Sequence, residues 1–547
     1  MLLQRTPYDK TLPAVGLMAD PLRLAGAGYA VVVQDTRGRF GSDGEFYLFH
    51  DDVEDGYDAV EWCAAQPWSN GKVGMFGVSY VGVTQWLAAL TRPPHLVTIM
   101  PALSASNGHN GWTHRGGAFE LGFNLSLTLL YFALDSATRA VAAGTVPPER
   151  IAELVAAIDD LPGSFARLPP RDQPALADIA PYYFDWLEHP QDDNYWSPWK
   201  IEDAYDRVAV PVLHIGGWYD IFLDGTIRNF AGMRSDGATT AARRGQKLVV
   251  GPWSHGIPWL ANPVGDVDFG LASTGIAAEL QALQLRWCDY WLKGIDDGVL
   301  DEPPVRIFVM GANVWRDEHE WPLARTSWED YFFHSEGRAN SSDGDGLLTT
   351  EAPGAEPPDS YIFDPSDPVP TRGGALCCSP GYNRGGAFDQ RRVESRADVL
   401  VYTTLPLPEG VEVTGPIRVT LWASSTGRDT DWTAKLVDVE SDGFARNLTD
   451  GIIRARYRDS FAAPSLLEPG AIYRYEIDLA STSNLFKAGH RIRVEISSSN
   501  FPRFDRNGNT GGLLADEREL RRAEQRVYHD LEHPSRITLP VVRCPNM

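Results

Sequence analysis

Basic charge and long apolar runs are both scarce in this sequence of 547 residues. The chain has 73 acidic residues against 49 lysines and arginines, so its formal net charge is −24. A surface of this sign repels nucleic-acid phosphates and anionic lipid, and we expect no nucleic acid and no membrane as partners. The sequence also lacks any uninterrupted apolar run near the roughly 18–20 residues that a membrane span needs.

Cysteine is scarce as well, with five residues in the chain. An odd and small number predicts a reducing compartment and no disulfide framework. Cys377 and Cys378 are neighbours, but no second pair stands at metal spacing, so we expect no metal site and no cofactor. The segment from Met1 to Pro7 has no charged stretch followed by an apolar one, unlike a signal peptide. These features predict a cytoplasmic protein.

The composition, with 43% hydrophobic and 22% charged residues, is that of an ordinary globular enzyme, and the length suggests two to four domains. In the first third, apolar β-branched runs alternate with helical patterns, and this order implies a parallel sheet. We predict strands at residues 28–35, 72–77 and 97–101 and helices at 51–65 and 83–90. The same pattern resumes with strands at 210–215 and 247–250 and a helix at 277–293.

The rest of the chain follows two other patterns. Residues 107–206 are rich in leucine, alanine and aromatic residues, and we predict an inserted helical cap there, with helices at 121–133 and 136–158. Beyond residue 399, many short alternating strands separated by turn residues indicate a β-sandwich of the jelly-roll type. The clearest of these predicted strands are residues 417–422, 433–437, 473–477 and 490–496.

Ser79 is the first candidate for a catalytic residue. It follows a predicted strand and precedes a predicted helix in the run Gly77–Gly82, which is the context of a nucleophile elbow. The usual pattern is G-x-S-x-G, whereas here Val81 takes the place of the second glycine, which comes one residue later. A serine that merely caps the helix is the alternative reading.

Two further residues favour catalysis over capping. Asp220 comes after the predicted strand at 210–215, and His255 comes after the strand at 247–250, in the chain order of an α/β-hydrolase triad. The carboxyl ends of parallel strands share one edge of the sheet, where open α/β sheets place their sites. We therefore predict an α/β-hydrolase core with Ser79, Asp220 and His255 as its catalytic residues.

At these residues the sequence resembles a known family, the bacterial cocaine esterase and Xaa-Pro dipeptidyl-peptidase group of serine hydrolases. The resemblance extends over nearly the whole chain, including the cap and the jelly roll. It implies an elbow of the form G-x-S-Y-x-G, which accounts for Val81 and Gly82. Five stretches carry it: residues 5–10 (RTPYDK), 34–38 (QDTRG), 77–82 (GVSYVG), 216–220 (GGWYD) and 251–255 (GPWSH).

The resemblance also implies roles and an organisation. Ser79 would be the nucleophile, His255 the general base and acid, and Asp220 its orienting carboxylate, while Tyr8 and the backbone N–H of Tyr80 would form the oxyanion hole. The expected domains are residues 1–106 (core, first part), 107–206 (cap), 207–325 (core, second part) and 326–547 (jelly roll). Because the family has a longer segment before Tyr8, we expect either a truncated sequence or a sheet without its first strands.

The substrate is left open by the sequence. Trp218, Tyr219 and Phe222 suggest an apolar acyl site, and His114 at the cap entrance could touch the substrate. The apolar residues after Asp220 disfavour amino-acyl esters, so a carboxylic ester, or an amide, is expected.

Two alternatives remain open at this stage. One is an Xaa-Pro dipeptidyl-peptidase, and the other is an inactive β-sandwich protein that binds carbohydrate or another ligand. Such a jelly roll could also support a homodimer.

Overall fold

A parallel sheet flanked by helices holds the first part of the fold together. The computed structural model describes residues 1–12, 20–256, 262–379 and 381–543. Eight strands form the sheet in the order β10-β9-β8-β7-β4-β3-β1-β2, parallel except for the β9–β10 pair. The strands are β1 (Leu2–Thr6), β2 (Val31–Asp35), β3 (Val73–Val78), β4 (Leu96–Ala102), β7 (Val212–Tyr219), β8 (Gln246–Ser254), β9 (Val305–Val309) and β10 (Val314–Glu318). Two short strands outside it, β5 (His114–Arg115) and β6 (Ala118–Phe119), pair with each other.

Helices cover the sheet. The helices are α1 (Pro21–Gly26), α2 (Asp52–Ala65), α3 (Tyr80–Leu90), α9 (Leu223–Asp236), α10 (Thr240–Arg244) and α11 (Leu280–Cys288). Helix α3 is buried along its whole length. In the part of the chain that the structure describes, no helix has the length and apolar character to cross a bilayer.

Two strands of the sheet are longer than the sequence predicts. β7 and β8 run on through residues 216–219 and 251–254, beyond the predicted strand ends at residues 215 and 250. A Cβ on Gly217 would lie 2.3 Å from the carbonyl oxygen of Trp253, so the glycine allows the two strands to come together. β1 was not predicted, since its Gln4 and Arg5 interrupt the apolar pattern.

Five α-helices lie between β4 and β7, in the segment predicted as a cap. They are α4 (Leu121–Leu127), α5 (Leu134–Ala142), α6 (Glu149–Asp159), α7 (Leu161–Ala166) and α8 (Pro181–Glu188), with a π-helix at Thr128–Ala133 between α4 and α5. The single helix predicted at 136–158 is wrong. It divides at residues 143–148, where Gly144 has φ 73° and Pro147 and Pro148 cannot continue α5.

The C-terminal half is an eleven-stranded β-sandwich, and with the parallel core and helical insertion it confirms the predicted fold class. Its strand order is β13-β20-β15-β21-β11-β12-β14-β19-β16-β17, with β18 on β15. The strands are β11 (Thr326–His334), β12 (Leu347–Thr349), β13 (Asp359–Phe363), β14 (Leu400–Thr403), β15 (Val411–Ser425), β16 (Asp431–Val439), β17 (Ala445–Arg454), β18 (Tyr473–Phe486), β19 (Arg491–Ser497), β20 (Ala523–Tyr528) and β21 (Arg536–Val542). A short helix, α12 (Arg391–Glu394), precedes β14.

Buried ion pairs join the sandwich to the start of the helical insertion. Arg503 lies 2.6 Å from Asp450 and 3.5 Å from Glu120, which immediately precedes α4. Asp505 pairs with Arg454 at 2.9 Å and accepts the backbone N–H of Phe119 at 2.8 Å. A buried charge is destabilising without its partner, so separating the sandwich from the helical insertion would be unfavourable.

Candidate active site

Ser79 occupies a sharp turn between β3 and α3. Its backbone has φ 60°, a conformation that residues other than glycine rarely adopt. The Ser79 N–H donates to the carbonyl of Ala102 in β4 at 2.9 Å. The Ser79 carbonyl accepts the N–H groups of Gly82 at 2.9 Å and Val83 at 3.1 Å. Because strand and helix both hold this residue, the turn is fixed at the carboxyl end of the sheet.

Two glycines give the turn the space that it needs. Gly77 has φ 143°, and a Cβ there would lie 2.2 Å from Cγ1 of Val81. A Cβ on Gly82 would lie 2.8 Å from the Cβ of Ser104, just beyond β4. The second glycine of the motif is therefore required where α3 meets the end of β4, one residue later than in the common pattern.

Asp220 and His255 are the first residues beyond the neighbouring strands β7 and β8. Nδ1 of His255 lies 2.6 Å from Oδ1 of Asp220, and the Asp220 side chain is buried. A carboxylate at this position favours the tautomer with a proton on Nδ1, which leaves Nε2 free to act as a base. The structure thus brings Ser79, Asp220 and His255 to the same end of the sheet.

Tyr8 lies two residues beyond β1, next to the strand that leads to Ser79. Its side chain lines the same cavity as that of Ser79. The backbone N–H of Tyr8 donates to Oγ1 of Thr6 at 3.1 Å, and its ring stacks on Phe132 with 5.8 Å between centroids. Burial raises the pKa of Tyr8 above its usual value, so the side chain keeps its proton and can donate a hydrogen bond.

A buried ion pair supports the elbow from behind. Arg5 in β1 lies 3.1 Å from Asp52, the first residue of α2, and both side chains are buried. Asp52 accepts the hydroxyl of Tyr80 at 2.6 Å, and that hydroxyl accepts the backbone N–H of Phe49 at 3.2 Å. This network fixes Tyr80, whose backbone N–H belongs to the first turn of α3, where N–H groups have no intrahelical partner.

Arg39 fixes the loop that carries Tyr8. This buried residue donates from Nε to the carbonyl of Pro7 at 3.0 Å. Its terminal nitrogens donate to the carbonyls of Phe132 and Tyr131, each at 2.9 Å. The Tyr8 loop and the π-helix are thus held by a single side chain. Arg39 stands directly after a motif used to recognise the family, but sequence reasoning missed its role because these partners are distant in the chain.

A cavity of about 670 Å³ opens beside Ser79, Tyr8 and His255. Asp135 also reaches it, but this carboxylate is paired with Arg39 at 3.2 Å. Most of the other lining residues are apolar: Leu12, Phe40, Val78, Val81, Leu127, Leu130 and Leu134. The cavity therefore suits an uncharged, apolar group next to the Ser79 hydroxyl.

Trp218 and Tyr219 lie elsewhere, which corrects their predicted place in the pocket wall. The Trp218 indole donates to the carbonyl of Phe308 at 2.7 Å, and the Tyr219 hydroxyl donates to that of Asn447 at 2.9 Å. Both are buried in the hydrophobic core shared with the β-sandwich. They belong to β7, which continues past the predicted strand end at residue 215.

His114 and Phe222 are also placed differently from the prediction. His114 is buried against His109, with 4.7 Å between ring centroids, and burial lowers its pKa well below the usual value. Phe222 lies behind the cavity, edge-on to the ring of His255 at 5.2 Å and stacked on Trp112 at 4.8 Å. Phe222 therefore packs against the imidazole, and the apolar side chains of α4, the π-helix and α5 provide the wall.

Cys377 and Cys378 complete the cavity, and they are joined by a disulfide. This single bond joins two neighbours in the chain and links no distant segments, so it is not a disulfide framework. Cys63 and Cys288 are free and buried, and Cys544 lies outside the described residues. The described residues contain no group of three or more His, Cys, Asp or Glu placed to hold a metal ion.

Two family models match this chain, one in each half. A family model described as X-Pro dipeptidyl-peptidase (S15 family) matches residues 1–257. A second, described as the X-Pro dipeptidyl-peptidase C-terminal non-catalytic domain, matches residues 297–538. The chain is 40% identical over 552 residues to the cocaine esterase of Rhodococcus sp. (strain MB1 Bresler), covering 99% of this chain and 94% of that protein.

Solved structures are similar over the same length. An aminopeptidase from the marine sediment archaeon Thaumarchaeota archaeon superposes with a TM-score of 0.82 at 27% identity, covering 99% of this chain and 92% of that chain. An α-amino acid ester hydrolase superposes with a TM-score of 0.78 at 26% identity, covering 99% and 91%. The likeness thus includes the core, the helical insertion and the sandwich together.

Proposed function

The chain belongs to the X-Pro dipeptidyl-peptidase S15 family, and we propose that within this family it is an esterase that carries the acyl group on Ser79. The resemblance predicted from five motifs is confirmed, and the chain is a serine hydrolase with an α/β-hydrolase core. The observation that carries the proposal is the meeting of Ser79, the His255–Asp220 pair and Tyr8 at one mainly apolar cavity.

The reaction begins with a proton transfer. Nε2 of His255 takes the proton of the Ser79 hydroxyl while Oγ attacks the ester carbonyl carbon. Asp220 holds the ring through Nδ1 and stabilises the imidazolium that forms. The bond to the alkoxy group then breaks, and the departing alcohol takes the proton from His255. Water attacks the acyl carbon with the same base, and the acid leaves Ser79 free again.

Negative charge on the carbonyl oxygen is stabilised by two donors. The hydroxyl of Tyr8, which lines the cavity beside Ser79, provides one, and the backbone N–H of Tyr80 at the start of α3 provides the other. Both are fixed before substrate binds, Tyr8 through Arg39 and Tyr80 through Asp52. Donors that need no reorganisation during the reaction give the largest stabilisation of the transition state.

Replacing Tyr8 with phenylalanine should lower kcat for a 4-nitrophenyl ester by about 10²–10³-fold, the usual effect of losing one oxyanion donor. KM should change little, because the ring keeps its stacking on Phe132. Tyr131→Phe is the matched control, since that ring contacts Tyr8 and lines the same cavity. Equal kcat values for the Tyr8→Phe variant and the parent would rule out the oxyanion role.

An apolar acyl group, such as an aryl or branched acyl chain, fits the cavity best. Leu127, Leu130 and Leu134 provide a wall beside Ser79. The identity with a protein named cocaine esterase supports an ester as the substrate. An Xaa-Pro peptide would bring a charged N-terminus, and the carboxylate of Asp135 already binds Arg39 and the backbone N–H of Phe40.

The test compares kcat/KM for 4-nitrophenyl acetate, butyrate and benzoate with that for alanyl-prolyl 4-nitroanilide. Among the described lining residues the only carboxylate is that of Asp135, which is paired with Arg39, so the cavity should favour the esters by about 10²-fold or more. Hydrolysis of the anilide as fast as the best ester would make the chain a dipeptidyl-peptidase. In that case Asp135→Asn should slow the anilide more than the esters, which it affects only through Arg39 and the Tyr8 loop.

A further inference from the structure

The Cys377–Cys378 pair comes to the cavity from the C-terminal half of the chain. It lies between β13 and α12, about 300 residues after Ser79, and lines the same cavity as Ser79, Tyr8 and His255. The next residue, Ser379, hydrogen-bonds through its hydroxyl to that of Ser126 in α4 at 2.7 Å. The pair is thus fixed on the helix that also supplies Leu127, a wall of the proposed acyl site.

The pair differs from the other described cysteines in its surroundings. Cys63 and Cys288 are fully buried, and burial raises the pKa of their thiols to about 11 and about 12. Thiols of that kind react slowly, because the thiolate is the reactive form. Cys377 is 8% exposed and Cys378 is half-buried, and both border an open cavity that a small molecule can enter.

We propose that Cys377 and Cys378 form a thiol–disulfide element of the acyl site, which small thiols reduce through the substrate cavity and whose state changes the acyl groups that are accepted. The thiolate of a small dithiol attacks one sulfur, breaks the S–S bond and forms a mixed disulfide. Its second thiol then closes the reagent's own disulfide. Two electrons and two protons pass from the reagent to the pair, which becomes two thiols.

The effect on the cavity follows from the change in bonding. In the disulfide the two sulfurs are held at bonding distance within one small ring. After reduction they must separate to van der Waals distance, and each side chain gains its own rotation and a hydrogen. Leu127 and Leu130 bound the same space, so we expect reduction to narrow the cavity and to disfavour bulky acyl groups.

The thiol state is measured first, without any turnover. The intact chain is denatured in iodoacetamide, before and after treatment with dithiothreitol, and weighed by mass spectrometry. Because the disulfide removes two cysteines from reaction, two more alkyl groups are expected after reduction than before it, up to the five that the chain can carry. Five alkyl groups without reductant, even after incubation with oxidised glutathione, would overturn the proposal.

The specificity is measured next, and this step rests on the proposed esterase function. The ratio of kcat/KM for 4-nitrophenyl benzoate to that for the acetate should fall about tenfold on reduction, as for a pocket changed by about one methylene. The C377S/C378S variant should show the same ratio with and without reductant. The matched control C63A/C288A should keep the response. An unchanged ratio in a chain that alkylation shows to be reduced, or a response that persists in C377S/C378S, would overturn the proposal.

A final measurement separates this inference from the esterase proposal. Phenylarsine oxide bridges two adjacent thiols, so in the reduced chain it should slow the labelling of Ser79 by a fluorophosphonate. The C377S/C378S variant should label at the same rate with and without the arsenical. Slowed labelling without ester turnover would reject the esterase proposal and keep the thiol element. Equal labelling rates in the reduced parent chain would reject the thiol element.

Discussion

Replacing Ser79 with alanine is expected to lower kcat for ester hydrolysis by about 10⁶-fold, the scale seen when a triad nucleophile is removed. Without Oγ no acyl-enzyme forms, and His255 has no hydroxyl proton to take. The Tm should stay close to that of the parent chain, because the loss of one oxygen atom leaves no significant cavity. Steady-state kinetics with 4-nitrophenyl esters and a thermal melt measure the two quantities.

Fluorophosphonate labelling gives an independent readout of the same change. The parent chain should be labelled once, at Ser79, and the Ser79→Ala variant should not be labelled at all. Ser235→Ala, at an exposed position of α9, is the control and should label normally. A folded parent chain without label would favour the alternative of an inactive, ligand-binding β-sandwich protein. Residual label in Ser79→Ala would assign the nucleophile to another serine.

Replacing Arg454 with methionine is expected to lower the free energy of unfolding by about 3–5 kcal/mol, the usual cost of leaving buried charges without their partner. Arg454 binds Asp431 at 2.8 and 2.9 Å and Asp505 at 2.9 and 3.2 Å, and all three side chains are buried. Both carboxylates would remain away from water without a counter-charge. Urea unfolding followed by tryptophan fluorescence measures the loss.

The same variant should show a characteristic pH dependence. Burial raises the pKa of Asp431 to about 6, against the opposing charge of Arg454. Without the guanidinium this pKa rises further, so the folded state binds more protons than the unfolded state and loses stability as the pH rises. The loss of unfolding free energy caused by Arg454→Met should therefore be larger at pH 8 than at pH 5. A deficit that is constant with pH would contradict this account.

Two controls define the effect of Arg454. Arg454→Lys keeps the positive charge but loses the bidentate hydrogen bonds to the carboxylates. It should therefore lose less stability than the methionine variant. Arg521→Met removes an exposed pair with Glu519 and should cost about 0–1 kcal/mol. If Arg454→Met and Arg521→Met lower the free energy of unfolding equally, burial of the Arg454 ion pairs does not contribute to stability.

Part of the site could be predicted because its position depends on local patterns. Ser79, Asp220 and His255 each follow an apolar strand, and parallel strands bring their carboxyl ends to one edge. Even an error of a few residues in the ends of β7 and β8 left the order of the three residues unchanged. Tyr8 had no such pattern, and only the resemblance to a family suggested it.

The wall of the cavity could not be predicted for a physical reason. Trp218 and Tyr219 follow a motif glycine and read as a loop, but β7 continues through them and places both in the core shared with the sandwich. The actual wall combines leucines of the insertion with cysteines some 250 residues later. No local periodicity relates two such segments.

The sequence by itself determined the fold class, the family and the residues expected to carry the reaction. Strand and helix patterns, motif spacing and the order of motifs can all be read along the chain. They do not depend on which distant segments pack together. Only the tertiary structure decided what surrounds Ser79. Arg39 meets Pro7, Arg454 meets Asp431 and Asp505, and the Cys377–Cys378 disulfide meets α4 only after distant segments pack together. Contacts of this kind depend on the direction of each side chain in the assembled core, which spacing along the chain does not specify.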